Sequence, residues 1–134
     1  MIYFDTDVLI NYLVEQDSAK NQQAIQLYQN ASKEGLFFCS LLCLQESAFV
    51  LAKLKVPTRD IESLVDSLLA PPLVNYSVAQ YRRAIELAKK VGFQNINDCI
   101  HTAIAETYCA ELYTYNQSDF KRIKKYTNLK ITIF

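Results

Sequence analysis

Along this chain, short apolar runs alternate with longer amphipathic stretches. Five runs, Ile2–Phe4, Leu36–Cys39, Leu73–Asn75, Glu111–Thr114 and Lys130–Ile133, predict strands. Helical patterns fill the gaps. The polar break Asp5-Thr6-Asp7 opens the stretch Val8–Leu13, and Ser18 begins a polar-rich helix to about Lys33. Ser40 caps a helix to Leu54, and Thr58 caps another to about Leu69, before Pro71-Pro72 breaks the chain. Ser77 starts a helix to Val91, with Ala84, Leu87, Ala88 and Val91 at helical spacing. Asn97 caps a helix to about Cys109, and Ser118 starts a last short one. Strands alternating with helices imply parallel pairing with covered sheet faces. The expected fold is a three-layer α/β/α sandwich on a five-stranded, mainly parallel sheet, forming one domain over residues 1–134.

Composition narrows the function. A hydrophobic content of 51% in 134 residues supplies a real core. Net charge is zero and the pI is about 6.6, so no global basic field advertises nucleic acid. No stretch approaches the roughly 20 apolar residues of a membrane span. The N-terminal run is too short for a signal peptide and has no charged region before it, so the chain reads as cytoplasmic. Cys39, Cys43, Cys99 and Cys109 form no C-x-x-C pair and read as reduced, buried thiols. Gly35 and Gly92, each placed as a helix C-cap, are the only glycines, which excludes a P-loop or a dinucleotide fingerprint.

The acidic residues carry the chemistry. In a parallel sheet, strand ends and the starts of the following helices share one edge, where such folds bind ligands. Asp5 ends the first strand. Asp98 follows Asn97 at a helix start, and Asp119 lies just past the fourth strand. Glu46 sits in the second turn of its helix, with Leu42, Cys43, Phe49 and Val50 as helical neighbours, so it faces inward. Taken singly, Asp5 and Asp119 also suit turns, and Asp98 complements a helix dipole. Their convergence is the stronger argument. Clustered carboxylates repel, and a divalent cation offsets that cost. Oxygen donors suit Mg²⁺ or Mn²⁺, which activate water at a phosphodiester. An unpartnered inward Glu46 predicts that Glu46→Gln preserves or raises the melting temperature in metal-free buffer.

Four segments resemble the motifs of PIN-domain nucleases. Phe4-Asp5-Thr6-Asp7-Val8-Leu9-Ile10 is similar to the opening motif, and Glu46 to the family's helix-borne glutamate. Asn97-Asp98-Cys99-Ile100-His101-Thr102-Ala103-Ile104-Ala105 is similar to the third acidic motif, and Thr114-Tyr115-Asn116-Gln117-Ser118-Asp119-Phe120 to the last. The resemblance spans Ile2 to Phe134. It implies a Mg²⁺- or Mn²⁺-dependent ribonuclease with Asp5, Glu46, Asp98 and Asp119 as catalytic metal ligands. At this length it implies a VapC-like toxin, a homodimer silenced by an antitoxin. Asp7 departs from the family, which more often has Asn or Ser there; the extra carboxylate adds a metal contact or alters the charge balance.

Thr6, Asp7, Asn11, Thr114 and Asn116 are candidates to support the four carboxylates. Lys121, Arg122, Lys124 and Lys125 read either as a solvated helix face or as phosphate contacts for an RNA substrate. His101, one turn beyond Asp98, reads as a satisfied structural histidine. Two alternatives stand. Asp5-Thr6-Asp7-Val8 also resembles the first motif of haloacid-dehalogenase-type phosphatases, with Asp5 as nucleophile and Asp7 as acid, although no later glycine–aspartate pair follows. The other is a catalytically silent PIN fold acting as a binding module.

Overall fold

The computed structural model describes residues 1–69 and 73–134. Strand β1 (Ile2–Phe4) buries Tyr3 and Phe4 completely. It pairs in parallel with β2 (Phe37–Phe38) on one side and β3 (Glu111–Thr114) on the other. Strand β4 (Lys130–Ile133) adds in parallel to β3, giving the order β2-β1-β3-β4. The helices are α1 (Thr6–Leu13), α2 (Ser18–Lys33), α3 (Leu41–Lys53), α4 (Thr58–Asp66), α5 (Val78–Val91), α6 (Ile96–Tyr108) and α7 (Gln117–Ile123). Helices α1 to α4 pack among themselves, as do α5 to α7, and the sheet lies between layers. Leu9, Ile104, Leu112, Phe120 and Ile123 are fully buried in the shared core.

The expected five-stranded sheet has four strands among the described residues. Of the run Leu73–Asn75, one parallel bridge between Val74 and Ser40 remains. The reason is local. The Val74 carbonyl accepts from the Leu41 N–H at 2.9 Å, but Leu41 is already the first residue of α3. No extended backbone follows Ser40 for a longer ladder to pair with. The expected Pro71-Pro72 break lies outside the described residues.

Caps set where the site-bearing helices start. Ser40 caps α3 as expected, and Ser77 caps α5 in a capping box with Gln80. Three assignments shift. Thr58 is the first residue of α4, after Pro57, which lends no side chain. Helix α6 begins at Ile96, so Asn97 lies inside its first turn rather than at its cap. Asn116, not Ser118, caps α7, because its Oδ1 reaches the Asp119 N–H. Gly92 closes α5 at φ +103°, a backbone conformation that side chains disfavour, and turns the chain into the short 3-10 turn ahead of α6.

Ser40 ties α3 to the sheet. Fully buried, it accepts from the Cys43 N–H at 3.3 Å and pairs with the Tyr3 hydroxyl at 2.7 Å. Ser40→Ala removes a cap and leaves a buried phenol short of a partner. It should cost about 1–2 kcal/mol in urea unfolding. An unchanged midpoint would show that neither bond matters.

Candidate active site

Asp5 leaves β1 and caps α1, and it is 4% exposed. Its Oδ1 accepts from the Thr6 N–H at 2.8 Å, and its Oδ2 accepts from the Thr114 hydroxyl at 2.8 Å. Asp7 follows in the first turn of α1. Its Oδ2 accepts from the Tyr115 N–H at 2.9 Å and lies 3.2 Å from the same Thr114 hydroxyl. A hydroxyl carries one proton, so Thr114 cannot fully satisfy both carboxylates at once. The Oδ1 of Asp7 is buried with no hydrogen-bond partner.

The last motif is organised by Asn116. Its Oδ1 accepts from the Asp119 N–H at 3.3 Å and the Ser118 hydroxyl at 2.9 Å. Its amide nitrogen then reaches two carboxylates, Asp119 Oδ2 at 3.0 Å and Asp98 Oδ2 at 3.4 Å. Helix α6 thus presents Asp98 to the start of α7. The Asn116 N–H donates to the Thr114 hydroxyl oxygen at 2.9 Å, which links this pair to Asp5 and Asp7.

Glu46 is the most heavily bonded of the acids. Its Oε2 accepts from Thr6 Oγ1 at 2.6 Å and pairs with His101 Nε2 at 2.8 Å. Its Oε1 accepts from the Asn97 amide at 2.9 Å. Phe49, expected on the inward stripe, is 61% exposed, so Glu46 sits at the rim of the core and is half-buried. His101 is 1% exposed, and its Nδ1 lies 2.7 Å from the Tyr3 hydroxyl. The structural reading of His101 therefore holds, but its partner is the catalytic candidate itself.

The charges follow from this geometry. Burial pushes Asp5 up and the nearby Glu46 adds to it, against His101, Thr114 and Thr6. Burial and the Asp5 charge push Asp7 up to about 7. Burial, Asp5, Asp119 and Glu46 push Asp98 up to about 7, partly opposed by His101. Glu46 goes the other way. Burial would raise it, but the hydrogen bonds of His101, Thr6 and Asn97, with the His101 charge, hold it below the usual range. Burial would lower His101, yet Cys43, Glu46 and Asp5 hold it well above its ordinary value.

Asp5, Asp7, Glu46, Asp98 and Asn116 line one cavity of about 430 Å³, together with the apolar Ile10 and Val50. A larger hollow of about 570 Å³ lies away from these acids, where Arg83 is held by Glu106 through two hydrogen bonds of 2.8 and 2.7 Å. The acids, not the size, mark the site. As the side chains stand, no three acidic, histidine or cysteine groups among the described residues close on one point as a metal cage. The donor set is nonetheless all oxygen, one buried oxygen lacks a partner, and two carboxylates have their pKa pushed up to about 7. That arrangement fits a hard cation that keeps part of its water shell.

The remaining candidates divide. Thr6, Thr114 and Asn116 each bond a carboxylate. Asn11 lines the cavity, but its amide donates to the Asp7 backbone carbonyl at 2.8 Å rather than to an acid. Arg122 donates to the Val91 carbonyl at the end of α5, so it is engaged in holding the fold. Lys121, Lys124 and Lys125 are exposed. Sequence reasoning missed the roles of Asn97 and Tyr3. Asn97 and His101 lie four residues apart on one face of α6, which was the available signal that both could meet Glu46.

The His101 partner reverses the expectation for Glu46. In metal-free buffer Glu46→Gln removes the charge from the half-buried pair with His101 and should cost about 1–3 kcal/mol. Asp98→Asn should do the opposite above neutral pH. An aspartate whose folded pKa is about 7 holds its proton where the unfolded chain, near 3.9, has lost it. Native stability therefore falls as pH rises from about 4 through 7. Asp98→Asn should raise the melting temperature at pH 8 and leave it little changed at pH 4. Thermal unfolding in EDTA checks both variants; equal shifts of Asp98→Asn at the two pH values would overturn the second.

Comparison with known proteins bears on the family. The PIN domain family matches residues 2–126. Comparison with curated proteins returns no match. Among solved structures, the chain is similar to one described as VapBC2 from Rickettsia felis bound to a DNA fragment from their promoter. That similarity covers 100% of this chain and 99% of the other, at a TM-score of 0.67 and 20% sequence identity, and speaks to the fold. Matched over nearly its whole length, with the acidic motifs gathered at the carboxyl edge of a parallel sheet, the chain belongs to the PIN domain family.

Proposed function

We propose that this chain is a Mg²⁺- or Mn²⁺-dependent endoribonuclease that hydrolyses RNA phosphodiester bonds, acting as the toxin of a toxin–antitoxin pair. The observation that carries this reading is the single cavity shared by Asp5, Asp7, Glu46 and Asp98, with Asp119 joined through Asn116. When bound, the cation would lower the pKa of water and neutralise charge at the phosphate. Asp5, Asp98, Glu46 and Asp119 would hold it. Thr6 and Thr114 orient Glu46 and Asp5, and Asn116 spaces Asp98 from Asp119. Ile10 and Val50 add an apolar wall to the cavity.

The partners follow from the family and the similar structure. That structure is described as a VapBC2 assembly on DNA from their promoter, which supports an antitoxin for this chain. A homodimer in the cytoplasm completes the proposal. Lys121 is an exposed cation two residues from Asp119, suited to a substrate phosphate. The phosphatase alternative is disfavoured. The later glycine–aspartate motif of such phosphatases is missing from this sequence, and the PIN domain family matches residues 2–126.

The test is RNA cleavage by the purified chain, free of any partner, across Mn²⁺ concentrations. EDTA should abolish cleavage. Asp5→Asn should cost about 100-fold or more even at saturating metal. Asp7→Asn, which keeps the Tyr115 contact, should cleave at saturating metal with about tenfold weaker metal dependence. Undiminished cleavage in EDTA would overturn the metal mechanism. Complete loss in both variants, with phosphate trapped on Asp5, would restore the phosphatase.

A further inference from the structure

We propose that His101 is a positioning residue, which fixes Glu46 so that one chosen oxygen faces the cation site. The inference rests on the metal-dependent reading above and deepens it. A carboxylate offers about four acceptor sites, two on each oxygen. On Glu46, Thr6 and His101 occupy both sites of Oε2, at 2.6 and 2.8 Å. Asn97 takes one site of Oε1 at 2.9 Å, leaving that oxygen with one open. Glu46 lines the cavity, so this oxygen is its free donor.

His101 is the rigid member of that set. Asn97 is exposed, whereas His101 is 1% exposed and held on its other nitrogen by the Tyr3 hydroxyl at 2.7 Å. Tyr3 is itself fully buried and paired with Ser40 at 2.7 Å. The chain Ser40–Tyr3–His101–Glu46 therefore runs from the cap of α3 through β1 and α6 back to α3, and ends at the cavity. A glutamate has three rotatable bonds, and loss of the imidazole would free it to turn towards solvent. Positioning partners of this kind set metal affinity through the ligand they hold.

The experiment is calorimetric titration of the full chain, stripped of metal, with Mn²⁺ alone. His101→Leu should weaken Mn²⁺ binding about tenfold or more. His101→Gln keeps an N–H at the position of Nε2 and should restore most of the affinity, a rescue that a merely structural role would not give. Tyr3→Phe, which removes one hydroxyl and keeps the ring, should fall between them. His101 is the only histidine, so its ring nitrogen signals in NMR need no assignment. They should shift when Mg²⁺ is added to the wild type and change in Glu46→Gln. A folded His101→Leu that binds Mn²⁺ like the wild type would overturn the inference. Should that variant fail to fold, wild-type affinity in Tyr3→Phe with ring signals unmoved by Mg²⁺ would overturn it equally. If Asp5→Asn loses Mn²⁺ while His101→Leu does not, this inference alone falls. If the wild type binds no Mn²⁺, the proposed function falls with it.

Discussion

The structure is organised by a crowding of carboxylates at one sheet edge, answered inside the protein by one buried histidine. Asp5, Asp7, Glu46 and Asp98 share a cavity, and His101 pairs with Glu46 at 2.8 Å while lying 3.9 Å from Asp5. Like charges this close destabilise one another unless a proton or a cation intervenes. His101 settles one acid by pairing. Asp7 and Asp98 are left to hold protons up to about pH 7. The fold thus stores electrostatic tension that a divalent ion is suited to relieve.

The backbone explains why this edge can bear the load. Most of the acids stand where a strand has just ended or a helix has just begun, and backbone N–H groups reach two of them. The Thr6 N–H serves Asp5, and the Tyr115 N–H serves Asp7. Helix N-termini also favour negative charge. Glu46 is the exception. It lies further along α3, out of reach of that end's N–H groups, and needs side-chain donors from three places: Thr6, Asn97 and His101.

Asp7 marks where this chain differs from its family's usual pattern. Its Oδ2 uses the Tyr115 N–H, while Oδ1 is buried without a partner. A side chain with an amide in place of the carboxyl would bring a donor to that spot and no charge. The carboxylate adds to the repulsion around Asp5 and contributes another oxygen to the cavity wall. The charge balance at this site is therefore coupled to one position in the first turn of α1.

Local pattern determined the strand–helix alternation, the caps at Ser40 and Ser77, and the placing of Asp5, Asp98 and Asp119 at one edge. These depend on periodicity and on the geometry of parallel sheets, both legible in sequence. The fifth strand failed because the run Leu73–Asn75 met the first residue of α3 rather than extended chain, a fact of pairing that no local pattern encodes. The apolar neighbours of Glu46 showed that it sits against the core, but not that Phe49 turns to solvent or that His101 waits opposite. Residues 46 and 101 belong to different helices, and their meeting depends on how the fold places α3 and α6 relative to each other. Sequence named the acids; tertiary packing alone decided which of them is paired, which hold a proton and which oxygen stays open, because those depend on distances of a few ångströms between segments remote in the chain.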